Sequence, residues 1–183
     1  MIVGAGPIGL AAIATSRLLN PLWIGVVEPA ERRRKAALDL GTEVTLATAA
    51  DARSWVADTT SGLGADVVIE AVGVPETFTL CAELVRPGGH VANIGVHGSS
   101  AELHLETLWD KDVTITTGLV DTNSTPTLLR LVAAGKLTLP GVITHRFGIQ
   151  EMQDAYDVFA DSADTGALKV VLYGDQAVLR EVD

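Results

Sequence analysis

The sequence predicts an α/β fold, a doubly wound parallel sheet of six strands with helices on both faces. Three observations carry this. Short runs rich in valine and isoleucine alternate with amphipathic or alanine-rich stretches as far as Thr117, the rhythm of strands joined by crossover helices. A glycine-rich turn, Gly4-Ala5-Gly6-Pro7-Ile8-Gly9, lies between the first such run and the first such stretch. The chain is 48% hydrophobic and 20% charged, the balance of a domain with a real core and a solvated surface.

The elements follow in order. Ile2 and Val3 read as the end of a strand, and Pro7 to Leu19 as a helix with proline in its first turn. Asn20-Pro21 stops it. Leu22 to Val27 is an unbroken apolar run, the mark of a strand buried on both faces. Ala30 to Leu40 is a charged amphipathic helix stopped by Gly41, and Glu43 to Leu46 a short third strand. Asp51 to Thr60 reads as a helix with Trp55 and Val56 inward. Ala65 to Ala71 is a fourth strand. Glu76 to Val85 is a helix closed by a Pro87-Gly88-Gly89 turn. His90 to Ile94 and Val113 to Thr117 are the fifth and sixth strands. Six strands in this rhythm predict the Rossmann order 3-2-1-4-5-6. After residue 118 the rhythm changes. Thr125 to Ala134 and Ile149 to Ala160 read as helices, Val142 to Arg146 as extended and Leu168 to Tyr173 as a last strand. The division expected is 1–118 for the nucleotide-binding domain and 119–183 for a separate segment.

Composition excludes some functions. A net charge of −10 argues against nucleic acid or an anionic membrane as partner. No apolar run approaches the roughly 20 residues of a membrane span, and no secretory leader is visible. The one cysteine, Cys81, permits no internal disulfide and no multi-cysteine zinc site. A reduced, cytoplasmic setting is expected. A buried first strand needs about five or six residues and this one has fewer, so the natural chain, or its ancestor, is expected to begin upstream of Met1.

The glycine turn is a G-x-G-x-x-G in its confirming context, after a strand and opening a helix. Gly4 permits the tight turn, Gly6 lets a pyrophosphate approach the backbone, and Gly9 lets the helix pack on the sheet. Pro7 and Ile8 belong to the helix start, whose unpaired N–H groups attract phosphates. Glu28 ends the second strand about 20 residues beyond Gly9, where a carboxylate grips the adenosine ribose and repels a 2′-phosphate. NAD is therefore preferred. Arg32, Arg33, Arg34 and Lys35 follow directly and keep NADP as the alternative. The same glycine spelling occurs in FAD proteins, and Gly174-Asp175 imitates a flavoprotein Gly-Asp motif.

Three further stretches decide against the flavin. Gly64-Ala-Asp-Val-Val-Ile-Glu-Ala-Val-Gly73 resembles the fourth-strand motif of the zinc-type, medium-chain alcohol dehydrogenases. Leu84-Val-Arg-Pro-Gly-Gly-His-Val-Ala-Asn-Ile-Gly-Val96 resembles their fifth-strand motif. Thr144-His-Arg-Phe147, then a helix and Gly166-Ala-Leu-Lys-Val-Val-Leu172, resembles their C-terminal return segment. The resemblance covers nearly the whole chain. It implies that Ala71, Val72 and Gly73 lie against the cofactor ribose. Ile94, Gly95 and Val96 would lie beside the nicotinamide, with Leu119 approaching the same ring. It implies a basic contact to adenosine from Arg33 and to the pyrophosphate from Lys169, with a plain surface charge as the alternative for each. Residues 119–183 would return to a catalytic domain, and the Leu168–Leu172 strand would pair with strands that this chain does not contain, leaving an exposed apolar edge. The sixth strand would support a homodimer or homotetramer. Trp23 is expected near the adenosine side.

The resemblance also implies what is missing. Members bind zinc through residues upstream of the glycine turn, and the metal polarises the alcohol oxygen. No catalytic residue and no metal ligand is assigned here. His90 opens a strand, His97 and His104 lie seven apart across a loop, and His145 belongs to the return segment. Cys81 reads as a small buried hydrophobe. The function implied is an NAD-dependent alcohol dehydrogenase, acting on a small alcohol or aldehyde, present as its cofactor-binding fragment and inactive alone. A stand-alone NAD-binding module and a FAD-binding domain are the alternatives.

Overall fold

The structure, a computed structural model, describes residues 1–119 and 122–174. It forms two compact units, Met1–Leu139 and Pro140–Asp183. The division between them falls after Leu139, later in the chain than residue 118.

In the first unit the strands are β1 (Ile2–Val3), β2 (Gly25–Val27), β3 (Val44–Leu46), β4 (Ala65–Glu70), β5 (Val85–Asn93) and β6 (Thr114–Thr117). All neighbours are parallel, in the order β3-β2-β1-β4-β5-β6, as the element rhythm predicts. Helices α1 (Pro7–Ser16), α2 (Glu31–Asp39), α3 (Ala49–Thr59) and α4 (Pro75–Leu84) make the crossovers, and α5 (Thr125–Ala133) follows β6. Alternation along each strand supplies two apolar faces. Val3, Val27, Val68 and Val91 pack with Val56 of α3 and Leu80, Cys81 and Leu84 of α4. Ile2 and Val26 point to the other face; α1, which buries Leu10 and Ile13, packs on β1 and α2.

The second unit holds β7 (Ile143–Gly148), α6 (Met152–Ala160), the short α7 (Ser162–Thr165) and β8 (Lys169–Tyr173). The two strands pair in parallel with α6 packed against both, burying Ala155.

Four expectations are corrected. The second strand begins at Gly25, and Leu22 is 92% exposed. The left-handed turn at Asn20 and the following proline keep the chain out of the sheet until Ile24. Trp23 therefore precedes β2, edge-on to Trp55 at 4.9 Å, at the opposite end of the strand from Glu28, and not at the Glu28 end where it was expected. Pro87-Gly88-Gly89 does not close α4; it lies inside β5 as a bulge between the pairs Ala65–Val85 and Val67–His90. The last strand finds a partner in this chain, β7. Its other edge has no strand neighbour among the described residues.

Candidate functional site

Parallel strands all end on one side, and ligands of such sheets bind there, where the strand order reverses. One register row, Leu46–Val27–Val3–Glu70–Asn93–Thr117, marks that edge. The reversal lies between β1 and β4. Three turns leave the row there: Gly4–Gly9 after β1, Ala71–Gly73 after β4, and Ile94–Val96 after β5.

The glycine turn is shaped by contact on one side and space on the other. Gly4 sits at φ +101°, and a Cβ there would meet a Val72 methyl at 2.6 Å. A Cβ on Gly9 would fall on the carbonyl oxygen of Gly4, with Ala71 behind it. A Cβ on Gly6 would meet nothing within 4 Å, so the open side of the loop is at Gly6. Gly6 is also the N-cap of α1. Among the described residues no side chain caps this helix and no acidic residue lies in its first turn. Its free N–H groups and partial positive charge are thus available to an anion. Pro7 is half-buried and Ile8 exposed at this start.

Glu28 follows β2 and is buried, 5% exposed. One carboxylate oxygen accepts from Ala5 N and the other from Ala30 N, each at 2.9 Å. The acid is thereby locked to the glycine turn, and each oxygen retains acceptor capacity. Arg34 donates to the carbonyls of Glu28 and Pro29 at 2.9 and 2.6 Å, and Lys35 pairs with Asp39 on the exposed face of α2. Arg34 and Lys35 are therefore engaged within the chain. Arg33 is half-buried on α2.

The other two turns interlock. Gly73 has φ +92°, and a Cβ there would strike the Val96 backbone; one on Gly95 would strike Glu70 and Gly73 N. Val72 and Val96 project outward, 46% and 72% exposed, and Ile94 is half-buried. Leu119, 79% exposed, stands just past the end of β6. Lys169 opens β8 in the second unit and is exposed. The fold thus brings together Gly4, Gly9, Ala71, Val72, Gly73, Gly95 and Val96, with Glu28 tied in through Ala5.

Sequence reasoning missed Glu70 as a site residue. It is fully buried; Oε1 accepts from Val72 N and Gly73 N at 2.9 Å and from Thr77 Oγ1 at 2.7 Å. Its signal was a lone acid at the end of an apolar strand, which asks for buried donors. Cys81 is buried, and burial, reinforced by the charge of Glu70, pushes its thiol far above the ordinary range. It is no nucleophile.

Among the described residues no group of three or more histidine, cysteine or acidic side chains is placed to hold a metal, so these residues do not fit a zinc centre. No described helix is long and apolar enough to cross a membrane. Asp175 of the flavin-like Gly174-Asp175 pair lies outside the described residues.

Comparison with known proteins agrees with this geometry. A family model described as zinc-binding dehydrogenase matches residues 7–134. The L-threonine 3-dehydrogenase of Thermococcus kodakarensis is 31% identical over 178 residues, covering 94% of this chain and 50% of the relative. The solved zinc dependent alcohol dehydrogenase 2 from Streptococcus pneumonia superposes with a TM-score of 0.92 at 38% identity, covering 97% of this chain and 52% of that one. A protein of Sinorhizobium meliloti 1021 solved with NADP bound has a TM-score of 0.80 at 26% identity, covering 93% and 51%. The chain spans about half the length of the curated relatives it matches. The chain belongs to the zinc-binding dehydrogenase family and corresponds to the Rossmann half of its alcohol dehydrogenase members.

Proposed function

We propose that this chain is the cofactor-binding half of an NAD-dependent alcohol dehydrogenase and that it binds NAD without oxidising alcohol on its own. The observation that carries the reading is Glu28, a buried carboxylate hydrogen-bonded to the glycine turn at the end of β2. Its acceptors suit the two ribose hydroxyls of adenosine, and its charge opposes a 2′-phosphate. The open side of Gly6 and the uncapped start of α1 would take the pyrophosphate. Ala71, Val72 and Gly73 would bear on the ribose, and Ile94, Gly95, Val96 and Leu119 on the nicotinamide. Arg33 would add positive charge to adenosine. When bound, the nicotinamide supplies the hydride acceptor; this half of the protein supplies orientation.

Residues 119–183 would rejoin a catalytic domain that holds the alcohol or aldehyde. The exposed edge strand β6 would serve a homodimer or homotetramer, in a cytoplasmic setting. The Sinorhizobium meliloti protein shows that NADP occurs among relatives, so the dinucleotide is what needs testing. Calorimetric titration is expected to show NADH binding at least about tenfold tighter than NADPH, a gap of roughly 1.4 kcal/mol. Glu28→Gln should close most of that gap. Equal or tighter NADPH binding by the unsubstituted chain would refute the preference for NAD, and alcohol oxidation by the chain alone would refute the division of labour.

A further inference from the structure

Glu70 and His97 form a polar pair for which the cofactor reading has no use. The second carboxylate oxygen of Glu70, Oε2, is buried and makes no hydrogen bond among the described residues. It stands 3.4 Å from Nε2 of His97, a side chain 18% exposed. The same Nε2 lies 2.8 Å from Oδ1 of Asn93. Asn93 Nδ2 donates to the Gly95 carbonyl at 3.3 Å, which turns Oδ1 toward the histidine. Nε2 therefore faces two acceptors, and it is the nitrogen that carries hydrogen. The ring is held from the side by Phe78 of α4, edge-on at 6.2 Å.

These contacts close a loop of bonds around two turns. Glu70 Oε1 holds the Val72 and Gly73 amides. The Glu70 carbonyl accepts from Ile94 N and Gly95 N at 2.9 and 3.0 Å. His97 spans the remaining gap from Asn93 to Oε2. A buried carboxylate oxygen without a donor is costly; His97 Nε2 stands 3.4 Å from it while bonding Asn93 Oδ1, so the imidazole is the polar group set beside it. Small shifts of the ring would move Ile94–Val96 directly, because His97 is the residue after Val96.

We propose that His97 is a positioning residue for the nicotinamide end of the cleft: by bridging Asn93 and Glu70 it holds the Ile94–Val96 turn against Val72 and Gly73, and so shapes the surface on which the nicotinamide rests. This rests on the dinucleotide reading above. It assigns His97 no contact with adenosine. Glu28 follows β2, and His97 follows β5, three strand spacings away or roughly 14 Å.

The test separates the two ends of the cofactor. NADH and ADP-ribose, which lacks the nicotinamide, are titrated against the unsubstituted chain, His97→Ala and His97→Gln, with thermal unfolding of each. His97→Ala is expected to weaken NADH about tenfold and ADP-ribose less than twofold. His97→Gln keeps an N–H donor for Asn93 and should recover most of the NADH affinity. Should His97→Ala fail to fold, the split is read in His97→Leu, which preserves the apolar contact with Phe78. Equal loss for both ligands, or no loss for either, overturns the proposal and leaves the dinucleotide reading standing. An unsubstituted chain that binds neither ligand overturns that reading and the proposal together.

Discussion

Glu70→Ala is expected to destabilise the first unit by about 3–5 kcal/mol. The carboxylate is fully buried and accepts from two backbone amides and the Thr77 hydroxyl. Alanine would strand the Val72 and Gly73 amides, while the Thr77 hydroxyl keeps the Val74 carbonyl at 2.8 Å, and each stranded donor costs about 1–3 kcal/mol. The turn after β4 and the turn after β5 would lose their common anchor. Glu70→Gln retains an acceptor for the three donors and should cost less, about 1–2 kcal/mol. Urea unfolding followed by circular dichroism reads both values. A loss below about 1 kcal/mol for the alanine variant would mean that Glu70 is not the anchor described.

Gly9→Ala and Gly6→Ala should separate folding from binding. At Gly9 the added methyl falls on the carbonyl oxygen of Gly4. Backbone stands on both sides of that contact, so no rotamer change relieves it, and α1 must move off the sheet. A destabilisation of about 2–3 kcal/mol is expected, with NADH affinity reduced more than about tenfold. At Gly6 the same methyl enters open space, and the residue's φ of −69° suits alanine. Gly6→Ala should therefore unfold within about 0.5 kcal/mol of the parent yet lose NADH affinity, because its methyl occupies the approach to the pyrophosphate. Stability curves and NADH titrations of the two variants check this. A Gly6→Ala chain that binds NADH as well as the parent would place the dinucleotide elsewhere.

Much of the fold was legible because alternation of strand and helix leaves few topologies. Right-handed crossovers and the glycine turn together select the observed order. Local misreadings have local causes. Leu22 belongs to an apolar run, yet Asn20 and Pro21 direct it into solvent. Pro87-Gly88-Gly89 has turn composition, but pairing on both sides holds it in the sheet as a bulge. Helix α3 starts at Ala49, ahead of the expected Asp51, because Thr48 and Asp51 form a reciprocal capping box; the Thr-x-x-Asp spacing was there to be read.

At the candidate site, the glycine turn and Glu28 were legible because their partners lie at fixed sequence offsets. The bond from Ala5 to Glu28 follows from β1 and β2 being neighbours. The Glu70–His97 pair was not legible. It depends on Glu70 and Asn93 sharing a register row and on the chain turning back after Val96, which no spacing rule encodes. His97 considered only as a metal ligand had no partner within the sequence; in the fold its partner arrives from the neighbouring strand.

Amide hydrogen exchange with and without NADH tests the central claim most directly, because it reports where binding occurs as well as whether it occurs. Saturating NADH is predicted to slow exchange in three segments, residues 4–10, 71–74 and 94–97, and to leave α3 and the Pro87–Gly89 bulge unchanged. Absence of any protection, or protection confined to segments away from the three turns, would contradict the assignment of this crevice as the dinucleotide site.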